Sequence, residues 1–177
     1  MKKFTKGFTL IELLIVIALL GALAVALLAA LDPLEQIKKG TDTGVRNTVQ
    51  EISNSFTRYA SVKSGAMPYT GAIAWGSIGT STNGAMGTVL ENVITAGELK
   101  QDFFSLAGDQ LNKIFIVADQ SKAYVCFQPT AKSFMVDNNT KFVTGTISGG
   151  TATMTEDTTC GAGGTNSGGV ACYWCVR

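Results

Sequence analysis

The chain has 177 residues, 46% of them hydrophobic and only 15% charged, against about 25% charge in an average soluble domain. It has no histidine and a net charge of +1. The first fact excludes Ser-His-Asp and Cys-His catalysis and imidazole metal sites; the second argues against nucleic acid as a partner, which needs a basic patch.

The charge is unevenly spread. Residues 1–7 hold Lys2, Lys3 and Lys6 and no acid, while the 24 residues from Phe8 to Leu31 hold one charge, Glu12. As a helix that run covers about 36 Å, enough for a hydrocarbon core of about 30 Å. The leading lysines predict a cytoplasmic amino end and place the remainder outside the cytoplasm. Lys38, Lys39 and Arg46 beyond the far end weaken the bias over a wider window. A secretory signal peptide cut at Ala22-Leu23-Ala24 or Ala24-Val25-Ala26 is one reading, and a plain single-span anchor is another. Neither accounts for Glu12. An acid in a membrane span points to function, although Thr9-Leu10-Ile11-Glu12 also matches a helix capping box.

Gly7-Phe8-Thr9-Leu10-Ile11-Glu12-Leu13-Leu14-Ile15-Val16-Ile17 resembles the amino-terminal signature of type IV prepilins and type II secretion pseudopilins, and the resemblance covers residues 1–28. It implies cleavage after Gly7 by a membrane-bound prepilin peptidase and methylation of the new amine of Phe8. Loss of Lys2, Lys3 and Lys6 would leave 11 basic and 13 acidic residues, a net charge of −2. A buried carboxylate and a buried ammonium are each costly alone and tolerable when paired. Glu12 of one subunit is therefore expected to neutralise the Phe8 amine of its neighbour and fix axial register. Gly21 matches a mid-span glycine of the family. The family's proline at the place of Ala29 is missing here, and Pro33 stands instead.

Asp32-Pro33 predicts a kink or break near Leu31, with Asp32 able to cap a new helix. Val45, Val49, Ile52, Phe56 and Tyr59 then recur at helical spacing, while Arg46, Gln50, Glu51, Asn54 and Arg58 face elsewhere. This predicts one amphipathic helix from about Leu34 to Lys63, with Gly40 and Gly44 as soft spots. Ser64-Gly65 and Pro68 end it. Residues 65–88 read as a long loop anchored by Tyr69 and Trp75. Val89–Ala96 suits a short helix stopped by Gly97. Three strand-like runs, Lys113–Ala118, Ala123–Gln128 and Lys132–Val136, read as an antiparallel meander, with Lys141–Ile147 as a possible fourth strand. The Gly- and Thr-rich stretch from Ser148 to Val170 reads as irregular surface.

Four cysteines, Cys126, Cys160, Cys172 and Cys175, lie in the last third of the chain. Outside the cytoplasm an even count points to two disulfides with three possible connectivities. Bridges would tie the Gly-rich tail to the strand bearing Cys126. Cys172-Tyr173-Trp174-Cys175 is also a C-x-x-C, open to a redox reading, and all four cysteines together could hold zinc; no metal is assigned. Cys160 joined to Cys172 or Cys175 resembles the carboxy-terminal disulfide loop of many pilins.

These readings give an α+β chain. Residues 1–7 are a leader, 8–31 a transmembrane or filament-core helix, and 32–64 an amphipathic helix. Residues 65–177 form a small antiparallel β-sheet head with a Cys-containing tail. The resemblance implies a structural subunit with no enzymatic activity and no cofactor. It would be processed by prepilin peptidase and polymerise with copies of itself through the apolar helix. The partners implied are membrane lipid before assembly, an assembly ATPase and a platform membrane protein. The implied locations are the cytoplasmic membrane, single-pass with the amino end inside, and then an extracellular pilus. Alternatives are a secretion pseudopilin, a minor tip pilin contacting a surface, cargo or DNA, and a membrane-anchored thiol oxidoreductase using Cys172 and Cys175.

Overall fold

A computed structural model describes residues 7–79, 85–161 and 163–177. Met1–Lys6 of the leader, residues 80–84 of the expected loop and Ala162 of the tail lie outside the described residues. The chain divides into two compact units, residues 1–37 and 38–177.

The first unit holds helix α1 (Leu10–Ala30) and the start of α2 (Pro33–Val62). None of the α1 residues is buried. It is also the one described helix long and apolar enough to cross a membrane, with a mean hydropathy of 3.0. The helix ends where Leu31 turns extended, at φ −95° and ψ 132°. Proline at 33 removes one amide donor and disfavours helix in the residue before it. The Asp32 Oδ1 then accepts from the Glu35 amide at 3.2 Å, a side-chain cap that opens α2.

The second unit is the head. Its other elements are β1 (Ile73–Ser77), α3 (Ala85–Thr95), α4 (Phe103–Ala107), a 3₁₀ turn (Gly108–Lys113), β2 (Ile114–Ala118), β3 (Ala123–Phe127), α5 (Lys132–Met135), β4 (Thr140–Ser148), β5 (Thr151–Glu156) and β6 (Tyr173–Val176). The strands form one sheet in the order β1-β2-β3-β6-β4-β5, and every pairing is antiparallel. A long apolar helix ahead of an antiparallel sheet with helices packed on it is an α+β, pilin-like architecture.

Strand alternation splits the sheet into two faces. Ile114, Ile116, Ala118, Val125 and Phe127 join Val45, Val49, Ile52 and Phe56 of α2 in the main core. Burial of each large apolar side chain there contributes about 1.5–3 kcal/mol. On the other face the β4–β5 hairpin lies close over β2. A Cβ placed on Gly145 would sit 2.5 Å from Val117 Cγ1 and 2.9 Å from Trp75 Cε3. Trp75 stacks on Phe115, centroids 5.4 Å apart, and Tyr173 meets both rings edge-on. Only glycine permits this approach.

Three expectations need correction. Lys132–Val136 is not the third strand of a meander: Lys132–Met135 is helix α5. The cause is Asp42 of α2, whose carboxylate accepts the amides of Thr130 and Ala131, each at 2.7 Å, and the Thr130 hydroxyl at 2.9 Å. That turns the chain away from the sheet and seats Phe134 against Phe127. The place beside β3 goes to β6 instead. Second, the loop expected over 65–88 contains β1, paired to β2 with an irregularity between Ile73 and Gly76. Third, the stretch read as irregular surface contains β5, fully registered against β4 from Thr144↔Thr155 to Ser148↔Thr151.

Both disulfides lie in the head. Cys126 and Cys175 are opposed residues on β3 and β6 and are bonded. Cys160 is bonded to Cys172, 12 residues along. Closing a loop of that size in the unfolded chain stabilises the fold by about 3 kcal/mol.

Candidate processing and docking site

The site is built at the entry to α1. Thr9 is extended, at φ −85° and ψ 150°, and caps the helix. Its hydroxyl oxygen accepts the Glu12 amide at 3.3 Å. In return Glu12 Oε2 accepts from the Thr9 amide at 3.2 Å and from the Thr9 hydroxyl at 3.1 Å. This reciprocal box satisfies two of the free amides of a helix start. It holds the carboxylate at the first turn, where the helix dipole also favours negative charge. All three bonds run between Thr9 and Glu12, and Oε1 takes part in none of them.

Gly7 and Phe8 precede the cap. A Cβ added at Gly7 would meet nothing within 4 Å, and Phe8 is 79% exposed. Both positions lie at the surface of the described residues. Apart from Glu12, every side chain from Leu10 to Ala30 is apolar, and all of them are exposed. Such a surface requires cover from lipid or from other apolar helices.

A family model described as the prokaryotic N-terminal methylation motif matches residues 2–28. The chain thus carries the class III signal of type IV prepilins and pseudopilins, the signal read by prepilin peptidase. The apolar helix behind it fits a membrane-anchored precursor. No curated protein and no solved structure shows significant similarity to the chain.

The sequence-level site residues fall into two groups. Gly7 and Phe8 directly precede the cap, and Thr9 joins Glu12 to the start of the helix. Cys126, Cys160, Cys172 and Cys175 are drawn into two bridges far along the head. Among the described residues no group of three or more His, Cys, Asp or Glu is placed to hold a metal. A cavity of about 800 Å³ lies between Tyr59 and Met67, β1 and α3, and none of the described residues lining it is charged.

Asp42, which organises the head, was not singled out from sequence, and Arg46, read there only as lying off the apolar stripe, packs over two buried rings. Asp42 is 2% exposed and lies on the stripe of Val45 and Val49. An acid three residues ahead of an apolar repeat, on its own face, was the available signal. Arg46 lies over the Trp174 ring, 4.7 Å from its centroid, and 5.7 Å from that of Phe134. No spacing rule links those three positions.

Proposed function

We propose that this chain is the precursor of a type IV pilus-like filament subunit, cut between Gly7 and Phe8 and methylated on the new amine of Phe8. The observation that carries the reading is the methylation motif at residues 2–28 on a bare apolar helix whose one charged side chain is Glu12. Cleavage creates a cation within one residue of the Thr9 amide. A secondary amine keeps its charge, so methylation preserves the attraction. Before assembly the capping bonds keep the Glu12 carboxylate solvated by its own chain. Oε1 remains able to accept the Phe8 ammonium of a neighbouring copy, and that pairing cancels two charges costly in hydrocarbon. The apolar helices then cover one another, and the heads lie outside.

Mass spectrometry of the mature protein tests this directly. The expected amino terminus is N-methyl-Phe8. A terminus near Val25 or Leu27 would convert α1 into an ordinary cleaved signal peptide, and an intact Met1 would leave a simple anchor. Glu12→Ala should insert into the membrane yet fail to enter filaments. Normal filaments from that variant would return Glu12 to a purely capping role.

A further inference from the structure

We infer that the head reaches its native disulfides through a thiol–disulfide isomerisation, so that the chain is a substrate for a dithiol isomerase as well as for an oxidant. The reason lies in chain order. The cysteines occur as 126, 160, 172 and 175, and the native bonds are nested: Cys126–Cys175 encloses Cys160–Cys172, with separations of 49 and 12 residues.

A flexible chain closes its shortest loops first. Cys172 and Cys175 are separated by 3 residues, against 12 and 49 for the native bonds, so they meet first; of the two native bonds the 3/2-power closure term favours the shorter by about eightfold. Once Cys172–Cys175 has formed, the remaining thiols, Cys126 and Cys160, have only each other. The same isomer results from pairing the cysteines in the order in which they leave the ribosome.

That isomer is incompatible with the sheet. Cys175 is the third residue of β6, and Cys172 directly precedes the strand. Extended backbone separates their Cα atoms by about 10 Å, beyond the roughly 7 Å that a disulfide spans. A Cys172–Cys175 bond therefore abolishes β6. Because β6 is hydrogen-bonded to β3 on one side and β4 on the other, its loss divides the sheet in two and withdraws Trp174 from the core.

The rescue is redox-neutral. Oxidation first moves two electrons and two protons per bond to the oxidant. An isomerase thiolate then attacks Sγ of Cys172, forming a mixed disulfide and releasing the Cys175 thiolate. Cys175 attacks Sγ of Cys126 and expels the Cys160 thiolate. Cys160 attacks Sγ of Cys172 and releases the isomerase thiolate. Both native bonds are formed and no net electrons are exchanged.

The test uses the full chain in detergent, reduced, denatured and then returned to folding conditions. One arm contains hexacyanoferrate(III), an oxidant that leaves no thiol; the other contains mixed reduced and oxidised glutathione. Acid quenching and peptide mass spectrometry read the pairs. The Cys126–Cys160/Cys172–Cys175 isomer is expected in excess over the native one in the first arm, and native pairs in the second. Native pairing at equal rate and yield in both arms would overturn the inference. A Cys160→Ser/Cys172→Ser variant, which has only the Cys126–Cys175 pair to form, should lose the dependence on thiol. Retention of that dependence would equally overturn it. Neither readout involves processing at Phe8, so the result stands apart from the filament reading.

Discussion

Asp119 shows how much one side chain holds in this head. It is 3% exposed. Its Oδ1 accepts from the Ser121 amide and hydroxyl, each at 2.7 Å, and from the Lys122 amide at 3.0 Å. Its Oδ2 accepts from the Ala152 amide of β5 at 2.7 Å, and its carbonyl receives the Tyr69 hydroxyl at 3.0 Å. Desolvation alone would raise its pKa. The bonds from Ser121, Ala152 and Lys122 together outweigh that and hold the carboxyl well below the usual carboxylate range. Burial, with the Asp119 charge beside it, pushes the Tyr69 phenol up. A depressed folded pKa means that the contribution is complete above the unfolded value of about 4 and is lost as pH falls through the folded value. Asp119→Asn turns an amide donor toward an existing donor, Ser121 or Ala152, and should cost about 2 kcal/mol at pH 7. Urea denaturation should show the gap from wild type closing as pH drops below 4. A gap constant to pH 2 would refute the assignment. Gly145→Ala drives a methyl into Val117 and Trp75 and should cost about 1–3 kcal/mol. Gly161→Ala, with nothing within 4 Å, should leave the melting midpoint in place.

At the scale of elements, the Asp42 clamp decides the path between β3 and β4. Asp42→Ala removes the acceptor for the Thr130 and Ala131 amides and should cost about 2 kcal/mol. Hydrogen exchange should then rise first across 130–135; faster exchange spread evenly over the head would contradict a local clamp. The same residue explains what the sequence could and could not reveal. The stripe of Val45, Val49, Ile52 and Phe56 and the strands β2 and β3 were legible, because each is a local repeat with turn residues at its ends. Lys132–Val136 has strand-like composition, and its fate is set by a carboxylate about ninety residues earlier, which no local pattern records. β5 was hidden by its composition, since threonines at 151, 153 and 155 on a solvent face leave only Ala152 and Met154 to mark the inner side. The cysteine count gave two bridges without their connectivity, because pairing depends on which strand lies next to β3.

At the scale of the molecule, two kinds of surface share one chain. The head buries its own core, with α2 supplying one wall and the sheet the other. Helix α1 buries nothing and lies within the match to the N-terminal methylation motif over most of its length. The stability of the head should therefore be independent of α1. A chain lacking residues 1–31 removes the whole apolar run and retains Asp32 as the cap of α2. It should be soluble without detergent, sediment as a monomer and melt cooperatively at the midpoint of the detergent-solubilised full chain. Reduction of its disulfides should lower that midpoint, because both bridges lie within the retained part. A truncated chain that aggregates or melts without cooperativity would show that α1 contributes to the folded head, and the division between an exposed apolar helix and a self-sufficient head would fail.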